Sequence, residues 1–519
     1  MTDVADLGAL TYPEGYFLLR EPAASRSPYR PGHAPDNRPY RHVFTYAGSR
    51  PVIKEAALDL LASARRKVFL ASFFVGEPDL LEALYAAASR LRGGVYVISA
   101  LDEMSLRRGL ERTEAADAPD AGDFRARNKR FEDMTSRGIA VRGHANCHAK
   151  FLIVDDRIAL VSSANLETPA LVDARDRGAT GESGAVVTDP DEVARLSRFF
   201  ARLWYACPFE MPPGEDHTVQ ERAPAPSPCR VSTSAVAPRP SVIWTHDDEQ
   251  GILANIHDVI GRAQDRLLLS TFSLNGLTER PELLIDPLKR ALEARSLHVS
   301  LLVRGRNNVQ VHRRDANALA RLGVKIHADS LNHAKAVIAD DRHGALFSAN
   351  FDGEHGLLSG VEVGVRLDGE PALTEAVRFF DHVIAHADLA FAANPTQREM
   401  NDRLGAGWRT PWPLEADVRV AASRRTWERF CSAVVSPPVL FTRETANTLR
   451  LYAGGEQWTL GDRRADGARR LELSKDGDGT SAEQRLNSWL SPPRGRKDQK
   501  GPRARRGFCP AIVRWEPGD

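Results

Sequence analysis

Cysteine is scarce in this chain. Its 519 residues hold five, Cys147, Cys207, Cys229, Cys431 and Cys509, an odd set without ligand-like or disulfide-framework spacing. Such usage fits reduced thiols in a cytosolic protein. Long apolar runs are missing too, and nothing approaches the roughly 20 residues that cross a bilayer. Met1 to Leu19 carries Asp3, Asp6 and Glu14 and has no continuous apolar core, unlike a secretory signal. Net charge is almost nil: 70 Lys+Arg against 69 Asp+Glu leave +1, so any basic surface must be local. These absences predict a soluble, cytoplasmic chain with no transmembrane segment. What remains is ordinary globular composition, 42% hydrophobic and 27% charged, enough to build several cores.

The chain divides by pattern. Residues 1–45 are rich in Pro, Arg and Tyr and read as an N-terminal extension. Residues 46–207 alternate helix and strand signals. Ile53, Ala56, Ala57, Leu60 and Leu61 share one helical face, and Val68 to Phe74 is a buried strand. Residues 208–240 hold eight prolines and read as a linker. Residues 241–392 repeat the alternation, with a helix at 250–263 before the strand Leu267 to Phe272. The alternation predicts an α/β fold in each half, a mostly parallel, helix-covered sheet. Residues 393–519 differ. Six of the eight tryptophans lie there, and Leu449–Tyr452, Gln457–Leu460 and Arg470–Leu473 read as short strands. Residues 483–507 hold eight Lys/Arg against two Asp/Glu, a basic tail.

One chemical phrase occurs twice. His148, Lys150 and Asp155 are followed by Ser163 and Asn165. His333, Lys335 and Asp340 are followed by Ser348 and Asn350. All five residues recur at the same offset, 148 to 333. A single short motif carries a real false-positive risk, but two copies in one register do not arise easily by accident. On a strand, residues two apart leave the same face, so each His shares a face with its Lys.

The residue types suit the cleavage of a phosphodiester. The lysines can hold non-bridging oxygens as point charges, and the Ser and Asn side chains add neutral donors. One imidazole can attack phosphorus while the other protonates the leaving oxygen and later deprotonates water. Glu182 and Glu362 stand in similar settings, Gly181-Glu182-Ser183-Gly184 and Val361-Glu362-Val363-Gly364. A carboxylate accepting from Nδ1 would fix a histidine's tautomer and leave Nε2 for substrate. The carboxylates Asp155 and Asp340 join the candidate catalytic set, although an Asp at a strand end often only holds a turn. His144, Cys147 and His148 match no common zinc spacing.

The doubled phrase resembles the phospholipase D superfamily, over about residues 50–205 and 243–390. The resemblance implies two repeats packed about a pseudo-twofold, with both phrases in one site that uses no metal or cofactor. It assigns the nucleophile to His148 and the general acid to His333. The glycine usual before the Ser is Ser162 in the first copy and Phe347 in the second, which implies a narrowed second half of the pocket.

Motif and resemblance define a reaction class and leave the substrate open. The leading expectation is a nuclease acting on DNA or RNA, with a place in bacterial genome defence. Arg304 and Arg306, after a strand end, and Arg494 and Arg496, in the basic tail, are the candidate substrate contacts. Arg125, Arg127, Lys129, Arg130, Arg313 and Arg314 extend the basic set. A phospholipase or phosphatidyltransferase is the second expectation. A non-catalytic scaffold binding nucleic acid or protein is the third, against which stand two complete copies of the phrase. The Trp-rich C-terminal region is a candidate surface for a protein partner.

Overall fold

The computed structural model describes residues 4–6, 11–12, 14–20, 27–32, 38–101, 121–172, 179–214, 219–223, 225 and 239–404, and strands at 419–422, 440–445, 448–453, 456–465, 468–475 and 512–517. The chain forms two compact units. One comprises Ser25–Arg304 and Leu322–Ala387, the other Met1–Ala24, Gly305–Arg321 and Asp388–Asp519.

The first unit contains one sheet design twice. Its first copy uses Tyr40–Thr45 (β1), Val68–Ala71 (β2), Val95–Ser99 (β3), Ala140–Gly143 (β4), Phe151–Val154 (β5), Ile158–Ser162 (β6) and Glu182–Val187 (β7). Their spatial order is β4-β3-β2-β5-β6-β7-β1. The second copy uses Val242–His246 (β8), Arg266–Ser270 (β9), His298–Val303 (β10), Lys325–Ala328 (β11), Ala336–Ala339 (β12), His343–Phe347 (β13) and Glu362–Arg366 (β14). Their order, β11-β10-β9-β12-β13-β14-β8, is the same.

The α/β class with two like repeats holds, but the expectation of mostly parallel strands needs correction. Only β3 with its two neighbours, and β10 with its two, pair in parallel. The ladders from β2 to β5, β6, β7 and β1 are antiparallel, as are their counterparts. The reason is connection length. A parallel neighbour needs a crossover, and the helices Pro78–Arg90 and Ala121–Ser136 supply two in the first copy. The motif strand instead enters a tight hairpin. Asp155 and Asp156 both have positive φ (55° and 57°), and Arg157 N donates to Val154 O. Asp340 and Asp341 (50° and 56°) repeat the turn. Two left-handed residues match the twist of a two-residue hairpin, and Asp tolerates that region better than most side chains.

A single core joins the copies. Phe151, Ile153, Val161 and Ala185 from the first cluster with Ala336, Ile338, Leu346 and Val363 from the second. The helices Pro190–Ala206 (α1) and Pro371–His386 (α2) seal it reciprocally. Phe199 on α1 stacks on Trp244 of β8, with centroids 4.6 Å apart. Phe379 on α2 lies 5.4 Å from Phe44 of β1. Each helix thus packs an aromatic ring on an outer strand of the other copy. Truncating one such aromatic to Ala costs about 3–5 kcal/mol.

The second unit contains a seven-stranded sheet in the order Val4–Asp6, Ile512–Pro517, Arg419–Ala422, Ala468–Lys475, Glu456–Ala465, Thr448–Ala453 and Leu440–Thr445. The three short strands expected near its tryptophans lie within it, and Trp458 is fully buried. Residues Gly305–Arg321, expected inside the second repeat, group here. In the proline-rich segment 208–240, Phe209–Met211 adds an antiparallel strand beside β4.

Candidate active site

Both motif histidines precede their strands, Phe151–Val154 and Ala336–Ala339, and each is held by the other copy. His148 N donates to Val361 O, and Val361 N donates to Asn146 O. His333 N donates to Gly181 O, and Gly181 N donates to Leu331 O. These bridges set the start of each Glu-bearing strand against the other copy's histidine. The side chains complete the exchange. His148 Nδ1 donates to Glu362 Oε1 over 2.9 Å, and His333 Nδ1 donates to Glu182 Oε1 over 2.7 Å. A carboxylate only accepts, so both histidines carry their proton on Nδ1 and turn Nε2 away from it.

The second carboxylate oxygens are held within their own copy. Ser163 Oγ donates to Glu182 Oε2, and Ser348 Oγ donates to Glu362 Oε2. Each Ser Oγ also accepts a backbone N–H, from Ser183 and from Val363. The motif serines therefore position the carboxylates. Burial pushes the Glu182 carboxyl up, but the His333 charge and hydrogen bond, Lys335 and Ser163 outweigh it, and the net value falls below the usual range. Glu362 is lowered the same way by His148, Lys150 and Ser348, against its own burial.

Lys150 is 1% exposed and Lys335 is 0% exposed, so neither charge is a solvated surface group. Lys150 Nζ donates to His148 O at 2.7 Å, which folds the lysine back beside its own histidine. A buried ammonium is costly unless anions or dipoles surround it. Here two anionic carboxylates are at hand. Asn165 and Asn350 are also buried, and their carboxamide oxygens have no protein partner among the described residues. An open amide oxygen accepts, so each is a position for a donor such as a water or a substrate hydroxyl. Among the described residues, no three or more His, Cys, Asp or Glu side chains gather as a metal-ligating group.

Asp155 and Asp340 are placed differently from the other motif residues. Asp155 accepts from the backbone N–H groups of Arg65, Arg66 and Lys67 at 2.7–2.9 Å. Asp340 accepts from Gln264, Asp265 and Arg266 at 2.8–2.9 Å. Both sit at the far end of the motif strand, beyond the Val154 and Ala339 ends. Each carboxylate clamps the chain where it enters β2 or β9. These bonds outweigh burial and hold both carboxyls below their ordinary range.

Three features were not legible in the motif. Phe73 and Phe272 stand at matching positions, with centroids 6.1 Å from His148 and 5.0 Å from His333. Thr180 Oγ1 donates to Glu182 Oε1 over 2.7 Å. Gly184 and Gly364 lie across the ladder from Ser162 and Phe347. A Cβ on Gly184 would stand 2.5 Å from Ser162 Cβ, and one on Gly364 would stand 2.8 Å from Phe347 Cβ. The bulk at 162 and 347 is thus accommodated by a missing side chain opposite. Phe347 itself is 1% exposed.

The candidate substrate arginines separate. Arg304 Cζ lies 5.3 Å from the centre of Phe272, the ring that faces His333. Arg306 is buried and belongs to the other unit. Arg494 and Arg496 lie outside the described residues. Of the wider basic set, Arg130 lies 3.8 Å from Glu167, and Arg313 is buried against Glu14 at 3.1 Å.

The duplicated α/β repeat with its doubled His–Lys phrase belongs to the phospholipase D superfamily. The family described as cardiolipin synthase, PLD-like domain, matches residues 57–204 and 256–384, and the chain belongs to it. Members of this superfamily act on phosphodiester bonds. No curated protein matches the chain. Among solved structures, phosphatidylserine synthase of Haemophilus influenzae Rd KW20 is similar at 13% identity and TM-score 0.49, over 74% of this chain and 90% of that one. Polyphosphate kinase from Porphyromonas gingivalis aligns at 15% identity and TM-score 0.44, over 70% and 50%. The phospholipase D family member Nuc from Salmonella typhimurium aligns at 21% identity and TM-score 0.24, over 27% and 90%.

Proposed function

We propose that the chain is a phosphodiesterase that passes through a phosphohistidine, and that its substrate is nucleic acid. The observation that carries the chemistry is the reciprocal brace, His148 on Glu362 and His333 on Glu182. It gives two imidazoles the same tautomer and two separate carboxylates to stabilise positive charge. His148 Nε2 attacks phosphorus, and the P–O bond to the leaving oxygen breaks. His333, which starts as the imidazolium, gives its Nε2 proton to that oxygen and keeps the Nδ1 proton hydrogen-bonded to Glu182. His333, now neutral, takes a proton from water, whose oxygen attacks phosphorus and breaks the P–N bond. A phosphomonoester leaves, and both histidines return to their starting states. Lys150 and Lys335 neutralise the non-bridging oxygens, the work that a metal ion does in other enzymes, and Asn165 and Asn350 add neutral N–H donors from their Nδ2 groups. Asp155, Asp340, Ser163 and Ser348 act as positioning residues.

Nucleic acid is favoured by Arg304 beside the ring that faces His333, and by the net positive stretch at 483–507. Among the described residues no helix is long and apolar enough to cross a membrane. The second reading is phosphatidyl transfer or hydrolysis on lipids, for which the family's description speaks. One assay separates the two. Purified protein is given labelled DNA, labelled RNA, and phosphatidylglycerol or phosphatidylcholine vesicles, each with and without EDTA. Cleavage of DNA or RNA that survives EDTA, with intact lipid, is the expected result. Turnover of lipid alone overturns the nucleic-acid reading, and a strict need for a divalent cation overturns the chemistry.

A further inference from the structure

The two repeats differ beside their matched histidines. Ala71 of β2 pairs with Ile98 of β3, and Ser270 of β9 pairs with Leu302 of β10. The match continues past the strands, where Ser72 N donates to Ile98 O and Thr271 N donates to Leu302 O. Phe73 and Ala100 of the first repeat therefore match Phe272 and Arg304 of the second. In the first repeat this place is apolar, for Phe73, Phe74 and Ala100 form a small buried cluster. In the second, Ser273 stands where Phe74 does, and Arg304 stands where Ala100 does. Ala100 is fully buried, whereas Arg304 is half-buried. The Arg304 guanidinium carbon lies 5.3 Å from the centre of the Phe272 ring. His333 meets the same ring edge-on at 5.0 Å, and Lys335 Nζ lies 5.8 Å from its centre. One aromatic ring thus gathers a motif histidine, its buried lysine and a further cation.

We propose that Arg304 is a specificity-determining residue that binds the phosphate next to the scissile one on the leaving-group side, so that the substrate lies across the site in one direction. An aromatic face attracts a guanidinium and holds it in place without neutralising its charge. The guanidinium fork then meets a phosphate through paired N–H donors. Lys335 is fully buried and serves the scissile phosphate, while Arg304 stands nearer to solvent against the same ring. On the other side the matching ring, Phe73, lies 6.1 Å from His148 and packs against Phe74 at 4.3 Å. A diester that bears a second phosphate meets carbon at that ring and a cation at the ring of His333. That the leaving group lies on the His333 side rests on the reading under Proposed function, in which His333 protonates the leaving oxygen. The place of the cation rests on the geometry alone.

The test compares the thymidine dinucleotide TpT with its 5′-phosphorylated form, pTpT, and its 3′-phosphorylated form, TpTp. The products show which nucleoside keeps the scissile phosphate and which departs with a free hydroxyl. A terminal phosphate on the departing nucleoside should raise kcat/KM over that of TpT by about tenfold or more, the size of one charge-assisted contact. A phosphate on the other nucleoside should raise it far less. In Arg304→Ala the larger gain should fall to the size of the smaller. Arg304→Lys, which keeps the charge without the fork, should keep part of it. Each gain is a ratio within one variant, so a general loss of turnover or of folded protein cancels. A gain that survives Arg304→Ala overturns the proposal, as does a gain that follows the nucleoside retaining the phosphate. If none of the three is cleaved, the nucleic-acid reading fails, and calorimetry on the resting protein decides on Arg304 without turnover. Wild type should bind tripolyphosphate about tenfold or more tightly than inorganic phosphate, and Arg304→Ala should lose most of that difference. An equal difference in the two proteins overturns the cation site as well.

Discussion

Glu182 and Glu362 are buried anions that face a histidine from the opposite repeat, and their worth is electrostatic more than steric. Replacing either with Gln keeps the shape and removes the charge that steadies an imidazolium. Glu182→Gln and Glu362→Gln should each lower kcat by about 10²–10⁴-fold with a much smaller change in KM, measured on whichever phosphodiester the wild type cleaves. A change confined to KM would assign the carboxylates to substrate binding instead. The histidines can be told apart by trapping. In His333→Ala, attack on a nitrophenyl ester needs no general acid, yet hydrolysis of the adduct lacks its base. Mass spectrometry should then find an acid-labile phosphoryl group on the peptide that contains His148. The same group on His333 in the reciprocal variant would exchange the two roles. The His, Lys and Asn of this site were legible as types and spacings. Thr180, which donates to Glu182 Oε1, was not, because it belongs to no recurring phrase.

The strand that carries each motif ends in a two-residue hairpin, and its Asp does two local jobs there. Asp155 occupies the left-handed turn position and accepts three backbone N–H bonds from Arg65, Arg66 and Lys67. Its repetition at the same offset makes it a candidate catalytic carboxylate by spacing, and the structure shows its oxygens occupied by backbone N–H groups. Asp155→Ala should lower stability by about 2–4 kcal/mol, seen as a fall in Tm, because it strands three donors and strains the turn. Activity per folded molecule should fall far less than in His148→Ala, and loss of turnover at unchanged Tm would return Asp155 to the chemistry. The pH dependence has a definite sign. The folded-state carboxyl is held below its model value of 3.8, so its contribution is fully present above that pH and is lost as pH falls through the folded value. Asp155→Asn should therefore flatten the acid limb of the stability curve below about pH 4.

Because each histidine depends on the other repeat's glutamate, neither repeat contains a complete site. His148→Ala and His333→Ala should both be inactive, and mixing the two proteins should restore little activity. Strong recovery on mixing would mean that repeats exchange between chains. Joining the repeats also leaves histidines shielded from water, His42 buried and His144 half-buried. Burial pushes His42 down to about 3, and chiefly burial pushes His144 down to about 4. Their folded values lie below the model value of 6.5, so stability is intact above that pH and drains away as pH falls toward 4 and 3. His42→Gln, which can still meet Ser183, should shift the acid unfolding midpoint to lower pH. An unchanged midpoint would place the acid sensitivity elsewhere.

The linear order of residues was enough to reveal the duplication, the residue types of the site, the alternation of helix and strand and the family. These are local and periodic facts that the linear pattern records, although His148, Lys150, His333 and Lys335 all precede the strands Phe151–Val154 and Ala336–Ala339. The direction of the strand pairings depended on whether a turn or a helix joined them, which the alternation of signals does not encode. Tertiary structure alone decided which glutamate holds which histidine, since the partners come from sequence positions 148 and 362, and 182 and 333, that no local pattern connects. It also decided that two serines and two aspartates hold the frame while two lysines are drawn out of water. Those outcomes depend on what the second repeat places opposite the first.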